Sequence, residues 1–131
     1  MAAKMFLIFN HRITAFQEAD ARRQLAVEQI VELPPGLKDL WRHIPPELFE
    51  IRGFLSPIMN WLDEQATPGD HVLIQGDFGA CFLMVNLALQ KGLVPVYSTT
   101  LREAVEEHRA DGSVELTHRF KHRMFRRYMK P

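Results

Sequence analysis

Three short stretches of this 131-residue chain carry residue types able to bind or transform a phosphate ester. Asn10-His11 follows the apolar run Met5–Phe9. Gly76-Asp77-Phe78-Gly79-Ala80 separates the short run His71–Gln75 from a longer one reaching Leu89. Ser98-Thr99-Thr100 follows Leu93–Tyr97. Histidine titrates near neutrality, so His11 suits acid–base work. The glycine turn opens a helix, whose first N–H groups and positive dipole end favour an anion. Asp77 reads first as the N-cap of that helix, because a carboxylate beside a phosphate is repulsive. Gly76 and Gly79 either make a tight turn or let a phosphate approach the backbone, and spacing leaves both open.

Other chemistries find less support. There is neither a Walker loop nor a G-x-G-x-x-G fingerprint. His118 and His122 share a strand face, but no Cys pair or H-E-x-x-H accompanies them, so no metal is expected. Ser98 has no G-x-S-x-G elbow, so no Ser-His-Asp triad is expected either.

The elements that must position these residues follow from run length and punctuation. Met5–Phe9 reads as a strand buried on both faces. Thr14 with Gln17 forms a capping box for a helix reaching about Gln24, and Val27–Leu33 is a second strand stopped by Pro34-Pro35-Gly36. Leu37 to Pro46 is the least regular part, with Trp41 anchoring it by burial. Pro46 can open a helical turn at Glu47, which Gly53 and Pro57 interrupt. Ser56-Pro57 has N-cap and first-turn chemistry for a helix to about Ala66. His71–Gln75 is a third strand, and the helix from Phe78 ends at the Lys91-Gly92 stop. Leu93–Tyr97 is a fourth strand, with Pro95 suggesting an irregular or edge position. Thr100 with Glu103 predicts another capped helix to about Arg109. From Val114 the pattern has period two, a strand with one wet face and an antiparallel partner. The alternation of strand and helix predicts an α/β fold, a three-layer domain with a mainly parallel sheet and a C-terminal antiparallel strand or hairpin.

Composition is that of an ordinary soluble domain, 47% apolar and 24% charged. The lone cysteine, Cys81, lies in an apolar helix and suits core packing in a reducing cytoplasm. No signal peptide is read at the amino terminus, and no run approaches the ~20 apolar residues of a membrane span. The net charge of zero hides an asymmetry. The first 117 residues hold all 16 acids and ten basic residues, a net of −6; His118–Pro131 holds six basic residues and no acid. That tail is either a contact surface for an anion or an acidic partner face, or a solvated strand. Its Phe120, Phe125 and Tyr128 either stack bases between the basic groups or pack inward.

The segments "MFLIFNH", "LIQGDFGACFLMVNLALQKGLVPVYSTTLREAVEE" and "HRFKHRMFRRY" resemble those of small stand-alone CRISPR-associated proteins with a CARF (CRISPR-associated Rossmann-like) domain. The likeness covers nearly all of residues 1–131 as one domain and is weakest from Pro34 to Gly53. It implies a ring nuclease of type III CRISPR systems, which binds a cyclic oligoadenylate, cyclic tetra-adenylate first, across a homodimer two-fold. It implies metal-independent cleavage by the ribose 2′-OH to linear products with 2′,3′-cyclic phosphate ends, with no cofactor, membrane or long nucleic acid. Carried onto this chain, the ligand-binding positions are Asn10, Gly76, Asp77, Phe78, Gly79, Ala80, Ser98, Thr99 and Thr100. His11 becomes the acid or base and Arg102 the charge stabiliser. The alternatives are a protein that sequesters the same ring uncut, or an interaction protein whose basic tail binds RNA or a partner chain.

Overall fold

The apolar run at Met5 becomes an interior strand of a five-stranded sheet. The computed structural model describes residues 3–131; Met1 and Ala2, read above as the start without a signal peptide, lie outside them. The elements run β1 (Ala3–Ile8), α1 (Ala15–Gln24), β2 (Val27–Glu32), α2 (Pro35–Arg42), α3 (Arg52–Gln65), β3 (His71–Ile74), α4 (Phe78–Gln90), β4 (Val94–His108) and β5 (Val114–Arg127). The sheet order is β2-β1-β3-β4-β5, with every neighbouring pair parallel except β4 and β5.

Alternation along β1 divides the core. Met5, Leu7 and Phe9 pack with Ala21 of α1, Leu73, Val96 and Phe125. Phe6 and Ile8 pack on the other side with Trp41 of α2, with Leu55, Ile58 and Leu62 of α3, and with Ala80, Met84 and Ala88 of α4. Successive strand side chains point to opposite faces, so one set of β1 residues packs with α1 and the other with α2, α3 and α4. That is why β1 and β3 read as unbroken apolar runs.

Two capped helices form where their local chemistry predicts them. Thr14 Oγ1 accepts from Gln17 N at 3.0 Å and Gln17 Oε1 accepts from Thr14 N at 2.9 Å, so the capping box of α1 is complete. Asp77 Oδ1 accepts from Ala80 N at 3.0 Å and caps α4. Each such cap is worth about 1 kcal/mol.

Four expectations need correction. Leu37 to Pro46 is not irregular throughout: Leu37 to Arg42 belong to α2, with Pro35 in its first turn, where its missing N–H has no partner to lose. Helix α3 starts at Arg52, upstream of Ser56-Pro57, and carries Pro57 inside it. The Gly53 carbonyl that Pro57 leaves without an N–H accepts instead from Ser56 Oγ at 3.0 Å. Pro95 lies in an interior strand rather than at an edge. Val94 N donates across to Asp70 O, so the donor Pro95 lacks would face the other way, where the β5 ladder is ending at Arg127.

The largest correction concerns Thr100 to Arg109, which is not a helix. Strand β4 continues to His108, paired residue by residue with β5 from Thr100–His122 to His108–Val114. A continuous antiparallel partner overrides the local capping signal. The resulting hairpin runs past the end of β3, and its period-two face is exposed: Val114, Leu116 and Phe120 are all open to solvent. Among the described residues no helix is long and apolar enough to cross a membrane.

His71, buried at the start of β3 with Nδ1 unpartnered, gives the fold a pH dependence. Burial first, then the Arg127 charge, lowers its pKa, against an opposing pull from Asp70. The unfolded chain therefore binds the proton more readily, and stability is lost as pH falls below about 6.5 towards the lowered folded value. His71→Val should show a smaller fall in melting temperature between pH 7 and 5 than the wild type. Parallel pH–melting curves for the two proteins would remove His71 as the cause.

Candidate functional site

Register places the three chemistry-bearing stretches at one edge of the sheet. Ile8 pairs with Ile74 and Leu73 with Val96, so Asn10, Gly76 and Ser98 lie just beyond the carboxyl ends of β1, β3 and the parallel part of β4. Gln75 ties the row together, its Oε1 accepting from Ser98 N at 2.7 Å and its own N–H donating to Ile8 O at 3.1 Å. In open parallel sheets this edge is where ligands bind.

The glycine turn does two different jobs. Gly76 has φ +156°, and a Cβ there would come within 2.8 Å of Trp41 Nε1. Trp41 lies across the turn and donates to Gln75 O at 3.0 Å, so the missing side chain at Gly76 makes room for the indole. Gly79 is different: a Cβ there would meet nothing nearer than Asp77 Oδ1 at 3.5 Å. Ala80 N–H is spent on Asp77, while among the described residues the Phe78 and Gly79 N–H groups find no acceptor in the turn. Those two are the donors open to an anion.

Strand β1 contributes a buried polar atom without a partner, Asn10 Oδ1. The Asn10 carbonyl is held by Arg42 Nη2 at 3.0 Å. His11 beside it is exposed, its ring edge-on to Phe9 with centroids 6.0 Å apart.

Strand β4 contributes something the sequence did not reveal. Ser98 is buried and its Oγ lies 2.5 Å from Nδ1 of buried His122. His122 Nε2 lies 2.7 Å from Oδ2 of Asp20 in α1. Ser98, His122 and Asp20 thus form a buried hydrogen-bonded chain. Its members stand 24 and 102 positions apart, and only the elbow motif, which is absent, would have signalled it. Thr99 is committed to the hairpin, its Oγ1 donating to Met124 O and accepting from Met124 N. Thr100 and Arg102 lie further out on the exposed arm, with Arg102 6.0 Å from the Phe120 ring. Arg102 is four residues beyond Ser98, about 13 Å along an extended strand, so this chain does not bring it to its own Ser98.

Beside the α4 turn lies an apolar groove of about 550 Å³, walled by Phe78, Cys81, Phe82, Tyr97, Tyr128 and Met129 among others. Phe78 is 94% exposed and Phe82 68%. Burial, with Asp77 adding to it against a backbone hydrogen bond at Gly76, pushes the Cys81 thiol up to about 11, so it packs as a neutral thiol. Tyr128 Oη donates to Ile74 O at 2.7 Å, and its phenol is pushed up to about 12, mainly by burial. Of the three tail aromatics, Phe125 and Tyr128 therefore pack inward and only Phe120 faces solvent. Among the described residues no cluster of three His, Cys, Asp or Glu side chains is placed to hold a metal.

The two glycines should separate cleanly under substitution. Gly76→Ala should cost about 1–3 kcal/mol in urea unfolding, as overpacking against Trp41 does. Gly79→Ala should leave stability unchanged or slightly raised, since alanine is the better helix former. Equal losses at both positions would contradict the assigned contacts.

Comparison with known proteins finds similarity over nearly the whole chain. A family model described as "Uncharacterized protein MJ1673 family" matches residues 3–126. A protein of Methanocaldococcus jannaschii named "Uncharacterized protein MJ1673" is 47% identical over 125 residues, covering 95% of this chain and 96% of that protein. No solved structure matches. The chain belongs to the MJ1673 family.

Proposed function

We propose that this protein is a ring nuclease with a three-layer, Rossmann-like CARF domain. It binds a cyclic oligoadenylate, cyclic tetra-adenylate first, and opens it without a metal in the cytoplasm. The observation that carries this is the convergence at one sheet edge of four groups: the unpartnered Asn10 Oδ1, the open Phe78 and Gly79 N–H groups and the Ser98 hydroxyl. Helix N–H groups take phosphate. The exposed aromatic wall of Phe78 and Phe82 offers adenine a stacking surface.

Ring opening needs little beyond geometry. The ribose 2′-oxygen attacks its own phosphorus in line, the bond to the 5′-oxygen breaks, and a 2′,3′-cyclic phosphate end remains. In-line alignment and charge stabilisation supply most of the rate, with an acid or base adding about 10²–10⁴-fold. His11, exposed beside Asn10, is available to protonate the leaving oxygen. Arg102 stands on the hairpin arm, so its charge serves the ring only from a second copy. That copy also covers the exposed apolar side chains on one face of the arm, Val114, Leu116 and Phe120. A homodimer thus completes the site, and a cyclic tetranucleotide can share its two-fold symmetry.

Incubated with cyclic tetra-adenylate in EDTA, the protein should yield linear products on chromatography. Binding with no linear product over hours would leave a sequestering protein instead. His11→Ala should slow opening by about 10²-fold while affinity stays within a few-fold.

Light scattering at micromolar concentration should report a dimer. A monomer both free and with the ring would defeat the shared-site proposal.

A further inference from the structure

We propose that Asp20, His122 and Ser98 form a proton relay that gives the sheet edge an activated hydroxyl. The direction of the relay follows from valence. Burial pushes the Asp20 carboxyl up, but hydrogen bonds from His122 and Arg23 and their charges outweigh it, so the group stays ionised and can only accept. His122 Nε2 therefore carries a proton and donates to Asp20 Oδ2. In the neutral ring Nδ1 is then the acceptor, and the Ser98 hydroxyl donates to it. Gln17 agrees with this polarity. Its Oε1 is used by Thr14 N, which turns Nε2 towards Ser98 Oγ at 3.4 Å as a donor. The competing acceptor for the Ser98 proton, Thr99 O, is 3.5 Å away.

The surroundings hold the imidazole in place. Its ring is bracketed by Phe125, with centroids 4.5 Å apart, and by Phe16 at 5.8 Å. The β4–β5 ladder has a bulge here: Thr99 pairs with Met124 but Thr100 with His122. Without it, the side chain two residues before Phe125, Arg123, would share its inward face. The extra residue turns His122 inward and leaves Arg123 exposed.

For its substrate the relay rests on the ring-opening proposal; its hydroxyl chemistry does not. The Ser98 oxygen takes the proton of the ribose 2′-OH as its own proton passes to His122 Nδ1. The 2′-oxygen bonds to phosphorus, the bond to the 5′-oxygen breaks, and that oxygen takes a proton from His11 or water. The His122 proton then returns to solvent through Ser98. Ser98 is the catalytic residue; His122 and Asp20 activate and orient it.

The probe is a small fluorophosphonate, which needs no natural ligand. Ser98 Oγ bonds to its phosphorus, fluoride leaves, and the serine proton goes to His122. Mass spectrometry should find the adduct on Ser98, forming far faster than in urea-unfolded protein, and none in Ser98→Ala. His122→Asn should slow labelling by about 10²-fold or more. Where that variant fails to fold, Asp20→Asn carries the comparison, with at least a tenfold loss expected. Native Ser98 labelling no faster than in unfolded protein, or folded relay variants labelling at the wild-type rate, would overturn the relay. Wild type that labels but opens no cyclic tetra-adenylate would overturn the ring reading alone and support the hydroxyl chemistry. Ring opening at the wild-type rate by Ser98→Ala would overturn the assignment of Ser98.

Discussion

The antiparallel pairing of β5 with β4 is the constraint on which the carboxyl edge depends. It sets Ser98 opposite Phe125 and, through one bulged position, turns His122 towards Ser98 and Asp20. It also seats Phe125 in the core beneath α1, and brings Tyr128 round to donate to Ile74 O. Gln24 of α1 fastens the same strand, its Nε2 donating to Phe125 O and its Oε1 accepting from Phe125 N. A slip of one residue would turn Phe125 to solvent and Arg126 into the apolar face, so the register is strongly specified.

On the opposite face a second constraint centres on Trp41. Its ring fills the space a Cβ would need at Gly76 and satisfies the Gln75 carbonyl, which fixes the approach of the chain to α4. The Gln75 side chain is thereby free to bind Ser98 N. The two faces thus meet at Gln75, whose backbone answers to the α2 side and whose side chain answers to β4. An indole and a glycine that look like packing details position both the N-terminus of α4 and the serine.

Burial and polarity are distributed unevenly along the chain. The body of the sheet is covered by helices, while the hairpin arm carries Leu101, Leu116 and Phe120 into solvent among charged neighbours. The six basic residues of the tail are accordingly not a separate module. Five of them, Arg119, Lys121, Arg123, Arg126 and Arg127, lie on β5 around the buried His122 and Phe125, so the strand combines a structural edge with a cationic face.

Much of the fold was legible in the residues because local chemistry decides it. Continuous apolar runs specify β1 and β3, the Thr14–Gln17 box specifies α1, and Asp77 before an apolar helix specifies α4. Side-chain spacing, caps and glycine stops act within a few positions and need no distant partner. The convergence of Asn10, the α4 turn and Ser98 followed from the same logic, since parallel strands end at a common edge. Where a distant partner decides, local signals misled. Thr100 and Glu103 spell a helix start, yet each pairs with a β5 residue at positions 122 and 119. Pro57 looked like a helix beginning because the rescue of Gly53 O by Ser56 is invisible until the chain is coiled. Nothing near Gly76 in sequence announces that Trp41 packs against it. The relay of Asp20, His122 and Ser98 was wholly a product of tertiary structure. Hydrogen-bond partners 24 and 102 positions apart are chosen by strand register and helix docking, which no local pattern of residues encodes.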